Sequence, residues 1–600
     1  MTAPNRNTLW AETFVDELVA AGIEAACVAP GSRSTPLVVA LAAHPEIRIY
    51  SHFDERSAAS FALGRGRRGE PTAVVTTSGT ATANLHPAAM EADRGRVPLL
   101  LLTADRPPEL GDSGANQTVD QEKLYGDAVR WYRDVAEPES DARKLRSLRT
   151  TAARAVAEAT GTPAGPVHLN VRFRKPLEPL EVPGDVPEDF PERAPLGAEG
   201  RAGPYVRTTR GRPTLDPDDL ETVAAALADA ERPLVVAGPA DPPIDGPSIP
   251  RSLADLARRT GAPLLADPLS GLRFGPHVPD APVVGGYDAY LGGAGDRSAG
   301  PTLAVEEWPA PDVVVRVGAS PTSKPLRHYL RDVDARQFLV DPAGGWREAE
   351  FTATDLVASD PERLISGLLD RLDGNAEEAA AAWRTRFARA DESHWDLVEG
   401  RAGTHFEGGL LSDVAALAPD PATVFVSNSM PVRDLDRFGR PREADLTVLG
   451  NRGVSGIDGV TSSALGAGSA TDDPLVLVTG DLAYYHDMNG LLALDRCGVD
   501  ATVVLLNNDG GGIFHKLPIE EFDPPFTEQF KTPHGLDFAP TGDLYDLDFE
   551  RVEDREQFRE RFETVVDGGG TQVLEVQTDA EESHRERDRL AADLRDRLRE

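Results

Sequence analysis

Cysteine is almost missing from this chain: Cys27 and Cys497 are the only two in 600 residues. Two thiols so far apart make neither a disulfide framework nor a thiolate zinc site. Lysine is nearly as scarce. Lys123, Lys144, Lys175, Lys324, Lys516 and Lys531 are the whole set, and every other basic side chain apart from histidine is arginine. No apolar run reaches the roughly 18 residues expected of a membrane span. The opening residues, MTAPNRNTLWAETF, carry neither a basic n-region nor an apolar h-region. No signal peptide is therefore expected, and the cytoplasm is the expected compartment. Positive charge is in deficit overall. The formal net charge of −37 argues against nucleic acid or an anionic membrane as partner, because their phosphates would be repelled. An acidic, lysine-poor composition also reads as halophilic adaptation, since high salt screens the self-repulsion. On that reading an arginine kept beside a pocket has a specific task.

What is present is enough apolar material for several cores. The chain is 40% hydrophobic, and its length predicts two to four domains. Short apolar runs alternate with helical stretches in three blocks. Strands are expected at 25–29, 72–77, 97–103 and 166–171, then at 233–237, 263–266, 312–317 and 337–340. The third block adds 423–426, 446–449, 474–478, 502–506 and 572–576. Near-continuous apolar strands suit parallel sheets covered on both faces. The expected fold class is α/β, with three doubly wound parallel-sheet domains at residues 1–185, 214–374 and 390–600. A Pro-, Glu-, Asp- and Gly-rich stretch, 186–213 in its main part, reads as a linker. A helix rich in Ala, Glu and Arg is expected at 376–389. The alternating charges of 581–600 suggest a helix with a solvated face.

The strongest chemical signal lies in PLVLVTGDLAYYHDMNGLLALDRCGVDATVVLLNNDGGGIF. A strand ends at Gly480-Asp481, a helix follows, and a second strand ends at Asn507-Asn508. Carboxyl ends of neighbouring parallel strands share one crevice, so Asp481 and Asn508 should meet there. A carboxylate, an amide oxygen and a backbone carbonyl are hard ligands suited to Mg²⁺. A helix N-terminus at the same place favours phosphate, and Gly510, Gly511 and Gly512 permit close approach. Singly, a strand-end Asp caps a helix and an Asn sits in a turn. The two together, with strand, helix and strand between them, are far more specific. In the first block, HFDERSAASFALGRG puts Glu55 in the first turn of a helix, an ordinary dipole-stabilised position. Gly466-Ala467-Gly468 imitates a dinucleotide turn but follows no strand. His52, His86, His486 and His515 show no ligand spacing.

The GD…NN pattern resembles the thiamine diphosphate motif. Taken with APGSRSTPL (29–37), HFDER (52–56), TSGTATAN (77–84), LLTADRPPEL (101–110), GANQ (114–117), SNSMPVRDLD (427–436) and GNRGVSGIDG (450–459), the chain resembles the SEPHCHC synthase family. These are 2-succinyl-5-enolpyruvyl-6-hydroxy-3-cyclohexene-1-carboxylate synthases of menaquinone biosynthesis. The matches run in order through the first and third blocks and are loose in the middle, at VVAG (235–238) and DPLS (267–270). Most thiamine enzymes lack PGSRSTPL and TADRPPEL. An acetolactate synthase or an oxo-acid decarboxylase is the nearest enzymatic alternative, and a non-catalytic relative is the other.

The resemblance implies thiamine diphosphate as cofactor with Mg²⁺ (or Mn²⁺) held by Asp481, Asn508 and the Gly510 carbonyl. It makes Glu55 the catalytic acid that hydrogen-bonds the cofactor's aminopyrimidine ring. Thr77, Ser429, Leu482, Ala483 and Gly511 would touch the cofactor. Ile457 would wedge it, while Ile513 and Phe514 wall the pocket. The implied substrates, isochorismate and 2-oxoglutarate, are both dicarboxylates, and the arginine fork suits carboxylates. Ser32, Arg33, Arg106, Asn116, Gln117, Ser429, Arg433 and Arg452 would line the substrate site. Lys324 would reach in from the middle block, although Pro325 stands where the family has a second basic residue, and Arg327 is the candidate replacement. A homodimer or a dimer of dimers is implied, with Glu55 facing the metal motif across subunits.

Overall fold

The computed structural model describes residues 3–599 apart from 245, 247, 248, 292–306, 373–377 and 567. Among these, eighteen strands form three six-stranded sheets, and every pairing between strands is parallel. The first sheet contains β1 (Ala25–Val28), β2 (Arg48–Ser51), β3 (Thr72–Thr76), β4 (Leu99–Asp105), β5 (Trp131–Val135) and β6 (Pro166–Arg172). The middle sheet contains β7 (Pro233–Ala237), β8 (Leu264–Ala266), β9 (Val283–Val284), β10 (Val313–Val317), β11 (Arg336–Val340) and β12 (Asp355–Val357). The third contains β13 (Ala422–Val426), β14 (Leu446–Leu449), β15 (Leu475–Gly480), β16 (Thr502–Asn507), β17 (Asp548–Val552) and β18 (Gln572–Gln577).

The strand orders are β2-β1-β3-β4-β6-β5, β12-β11-β10-β7-β8-β9 and β14-β13-β15-β16-β18-β17. The first and third sheets thus share one topology, and the middle one is wound differently. All thirteen strands expected from apolar runs are present. The five that were not expected, β2, β5, β9, β12 and β17, are all edge strands. Residues on such strands are half-exposed, so the continuous apolar signature of a doubly covered strand is absent.

One apolar core joins the first and third sheets, mixing Ala59, Phe61 and Val74 with Val460, Leu477 and Val503. Its centre is the crossing of helices Glu55–Arg67 and Val460–Gly468. A Cβ on Gly64 would lie 1.8 Å from the Ser463 carbonyl oxygen, and one on Gly466 would lie 1.9 Å from that of Phe61. Gly466 therefore serves helix contact, and no dinucleotide turn is formed there.

The helix expected at 376–389 is seen as Glu378–Glu399; residues 376 and 377 lie outside the described residues. It spans position 390, burying Trp383 and Phe387 against the middle sheet's core and Trp395 beside Phe406 and Phe438. Within 186–213, Phe190 and Ala194 are buried in the first domain's core. The last helix, Ala580–Arg599, has the expected solvated face, with Glu581, Glu582, Arg585 and Arg589 exposed, but it is not solvated all round. It buries Ser583, Glu586, Arg587, Leu590 and Leu594 along one stripe. Charged residues at buried positions had hidden that stripe from a reading based on hydropathy.

Candidate active site at the strand carboxyl ends

Gly480 pairs with Leu506 across β15 and β16, which brings the two motif ends to one level. Asp481 opens the helix Asp481–His486 directly after β15. That helix has only six residues, so its dipole is smaller than a longer helix would supply. The Asp481 carboxylate accepts the Leu482 N–H at 2.7 Å and the Gly510 N–H at 2.9 Å, and lies 3.2 Å from His534 Nε2. It is 2% exposed. Burial pushes its pKa above the ordinary value, while the bonds from Gly510, Leu482 and His534 pull it back.

Asn508 donates from Nδ2 to Glu407 Oε1 at 2.7 Å. Its Oδ1 is buried and has no hydrogen-bond partner, a state that native proteins rarely leave uncompensated. Gly510 has φ +132°, and a Cβ there would lie 2.0 Å from the Lys531 carbonyl oxygen. Only glycine fits. The Gly510 carbonyl accepts the Gly512 N–H at 3.0 Å and retains a second lone pair. A buried carboxylate, an orphaned amide oxygen and a backbone carbonyl fit a hard divalent cation. Among the described residues no three His, Cys, Asp or Glu side chains form a metal cage.

Around this centre Leu482, Ile513 and Phe514 are half-buried and Ala483 is buried. Phe514 meets Phe530 edge-on with ring centroids 5.5 Å apart. Ser429 follows β13 with φ +71° and ψ −128°, a backbone state nearly reserved for glycine and characteristic of functional turns. Its carbonyl accepts from Arg433 Nη1. Arg452 donates to Asn428 Oδ1 at 2.7 Å, and its buried Nε has no partner. Burial lowers the Arg452 pKa; the Arg433 charge lowers it further, while Asp267 and Glu91 pull the other way. Two guanidinium groups close enough to repel each other favour an anion between them.

A second arginine pair belongs to the first sheet. Arg33 donates to the Phe173 carbonyl at 2.7 Å, and its buried Nε is unpartnered. Burial lowers its pKa, and the Arg106 charge adds to the shift. Arg106 donates to Ser78 Oγ at 2.5 Å and to the Gln117 carbonyl at 2.7 Å. Thr77 Oγ1 accepts the Arg33 N–H at 3.3 Å, and a Cβ on Gly31 would lie 2.2 Å from Thr77 Cβ. Gln117 has φ +56° and donates from Nε2 to the Ser78 carbonyl at 3.1 Å. Ser32 and Asn116 are exposed on the same loops.

Glu55 is the first residue of its helix and accepts from Asn84 Nδ2 at 3.3 Å. It lines a cavity of about 550 Å³ with His52, Asn489, Arg496 and Tyr545. Lys324 is exposed at the start of helix Lys324–Asp332. Pro325 fits that helix because the first turn needs no N–H donor. Arg327 Nε is buried without a partner. Asp267 accepts the Thr322 N–H at 2.8 Å, which ties the loop before Lys324 to the carboxylate that faces Arg452.

Four contributors escaped sequence reasoning: Glu407, His534, Asp267 and Glu91. Glu91 accepts backbone N–H groups of Gly453 and Val454, both at 2.6 Å, and of Ser455 at 3.3 Å. It is also paired with Arg67 at 2.5 Å. The loop so held carries Arg452 at one end and the half-buried Ile457 at the other. Their contacts join separate elements, 53 positions apart for His534 and Asp481 and 362 for Glu91 and Gly453, so spacing gave no signal, and DPLS marked Asp267 only as part of a loose match.

Comparison with known proteins places this site in a class. Residues 10–124 match the thiamine pyrophosphate enzyme N-terminal TPP binding domain, and residues 435–576 match the C-terminal TPP binding domain. The fold is shared with a thiamine diphosphate-dependent 4-hydroxybenzoylformate decarboxylase of Rhodococcus jostii. That likeness has a TM-score of 0.69 at 18% identity and covers 95% of this chain and 99% of the other. At full length the chain is 65% identical to the SEPHCHC synthase of Haloarcula marismortui, covering 100% of both chains. It is 62% identical to that of Halobacterium salinarum, over 98% of this chain and 99% of the relative. With that of Roseiflexus castenholzii it shares 47% identity over 96% and 97%. The chain belongs to the SEPHCHC synthase family of thiamine diphosphate enzymes.

Proposed function

We propose that the chain decarboxylates 2-oxoglutarate and joins the remaining four-carbon unit to isochorismate, giving SEPHCHC and CO₂ in menaquinone biosynthesis. The observation that carries this reading is the 65% full-length identity to a SEPHCHC synthase, and the Asn508 oxygen, buried and unpartnered, supports the cation site within it. Asp481, Asn508 and the Gly510 carbonyl would hold Mg²⁺ or Mn²⁺, and the cation would hold the cofactor's diphosphate. Bound thiamine diphosphate supplies the electron sink that decarboxylation of a 2-oxo acid requires.

The protein's own residues bind, orient and protonate. Glu55 would hydrogen-bond the aminopyrimidine ring through its carboxyl group. Thr77, Ser429, Leu482, Ala483 and Gly511 would pack around the cofactor, with Ile457, Ile513 and Phe514 as its apolar walls. Arg33 and Arg106, with Ser32, Asn116 and Gln117, form one carboxylate-binding group. Arg433 and Arg452 form another, with Lys324 approaching from the middle domain. Two repelling arginine pairs suit two dicarboxylates, and fixing both partners supplies much of the rate. Glu55 lines its cavity with Asn489 and Arg496 and without Asp481; a homodimer or dimer of dimers would complete the site by pairing one subunit's Glu55 with another's metal motif. We assign residues 1–185, 214–374 and 390–600 as the aminopyrimidine-binding, central and diphosphate-binding domains, and the cytoplasm as compartment.

The test is mass spectrometry of the product from 2-oxoglutarate plus isochorismate, with and without thiamine diphosphate. A cofactor-dependent SEPHCHC mass is expected. Its absence, or an acetolactate product from pyruvate alone, overturns the reading. Glu55→Gln should lower turnover by about 10²–10⁴-fold while binding of Mg²⁺ and the cofactor's diphosphate persists.

A further inference from the structure

We infer that Glu407 is a positioning residue that decides which end of the Asn508 amide faces the metal pocket, and that Arg587 of the last helix holds it in place. This rests on the reading of Asp481, Asn508 and Gly510 as a cation site. Glu407 opens helix Glu407–Leu417 and is 1% exposed. Its Oε1 accepts from Asn508 Nδ2 at 2.7 Å and from Thr578 Oγ1 at 3.3 Å. Its Oε2 accepts from Arg587 Nη2 at 2.7 Å. Arg587 in turn donates from Nε to Asp434 Oδ1 at 2.7 Å and from Nη2 to Asp434 Oδ2 at 2.5 Å. Arg587 and Asp434 are themselves buried, at 3% and 1% exposure.

The two ends of a side-chain amide have nearly the same shape, so the neighbours choose its orientation. An ionised carboxylate can only accept. Glu407 therefore attracts the NH₂ end and turns the oxygen away, which is the end a cation needs. Gly512 leaves room for that NH₂ end, since a Cβ there would lie 2.6 Å from Asn508 Nδ2. The guanidinium of Arg587, flanked by two carboxylates, holds Glu407 at Oε2, while Asn508 and Thr578 hold Oε1. The buried chain of hydrogen bonds from Asn508 ends at Asp434, the sequence neighbour of Arg433. Partners behind a metal ligand that hold its orientation typically change affinity tenfold or more when removed.

The experiment measures Mn²⁺ affinity of the full-length protein with thiamine diphosphate in molar KCl, from the paramagnetic resonance signal of free Mn²⁺. Glu407→Gln can present either amide end to Asn508, and we expect at least a roughly tenfold loss of Mn²⁺ affinity. The decisive reading is a change of sign. Asn508→Asp alone puts two carboxylates face to face and should weaken Mn²⁺ binding. In the Glu407→Gln background the same substitution restores a donor–acceptor pair of reversed polarity and should strengthen it. A purely structural role for Glu407 predicts an Asn508→Asp effect of the same sign in both backgrounds, and that result overturns the inference. So does a Glu407→Gln protein with wild-type Mn²⁺ affinity. If Glu407→Gln does not fold, Arg587→Lys decides. It keeps the charge but lacks the fork, and unchanged Mn²⁺ affinity there refutes the inference while weakened affinity supports it. A wild-type protein that binds no Mn²⁺ with the cofactor present would refute the cation site itself.

Discussion

Glu91 accepts the Gly453 backbone N–H at 2.6 Å, across the boundary between the first and third sheets. A Cβ on Gly453 would lie 2.5 Å from the Glu91 carbonyl oxygen, so the loop is pressed against the helix that carries Glu91. Arg67, buried beside them, balances the charge. Glu91→Gln leaves the Arg67 charge buried without its carboxylate and replaces one acceptor oxygen by a donor facing N–H groups. We expect a loss of about 3 kcal/mol in stability. We also expect a rise of about tenfold in KM for the dicarboxylate proposed to bind Arg452, equivalent to 1.4 kcal/mol. Denaturant titration and initial rates in molar KCl read the two effects. An unchanged KM would separate Glu91 from the positioning of Arg452.

The crossing of helices Glu55–Arg67 and Val460–Gly468 gives a second expectation. Glycine in a helix interior ordinarily costs up to about 1 kcal/mol relative to alanine, so Gly→Ala should stabilise an isolated helix. At Gly466 the added methyl would meet the Phe61 carbonyl oxygen at 1.9 Å, and the two helices would have to part. Gly466→Ala should therefore destabilise the protein by about 3 kcal/mol, as overpacking does. Gly211, where an added methyl would meet nothing within 4 Å, is the control: Gly211→Ala should change the unfolding midpoint very little. A Gly466→Ala protein as stable as that control would show that the crossing yields easily.

The fold was legible where burial is complete on both faces of a strand. Val476, Leu477 and Val478 are buried together on β15, and such runs identify a central parallel strand without further context. Edge strands such as β17, with the sequence DFERV and only its last residue buried, offer no such run. The pair Asp481 and Asn508 was legible for a related reason: the chain between them is one strand–helix–strand unit, so sequence spacing reports spatial neighbourhood. Glu407 touches Asn508 from 101 positions away and Glu91 touches Gly453 from 362. Those contacts arise from how separate elements pack, which local periodicity does not encode. The buried stripe of the last helix escaped for a further reason: a charged residue such as Arg587, buried by its own ion pairs, looks in sequence like a solvated one.

Asp487 sets an expectation for pH. Its carboxylate accepts the Ser462 N–H at 2.7 Å and the Ser462 hydroxyl at 3.0 Å, and the residue is 6% exposed. Burial pushes its pKa up to about 7, the two bonds from Ser462 oppose the shift, and the Asp54 charge adds to it against Arg56. The unfolded chain has the ordinary value of 3.8, so between these two values the folded protein binds more protons than the unfolded one. By linkage, this group's contribution to stability is fully present below about pH 4 and is lost as the pH rises towards 7. Asp487→Asn cannot ionise, and its amide can accept the Ser462 N–H while donating to the hydroxyl. Relative to wild type, the variant should gain stability progressively between about pH 4 and 7 and level off above that, by an amount on the order of 4 kcal/mol. Denaturant unfolding of both proteins across that range, at constant high salt, reads the difference directly. Parallel stability curves would mean that Asp487 keeps an ordinary pKa in the folded protein and that burial at this position is offset in full by Ser462 and Arg56.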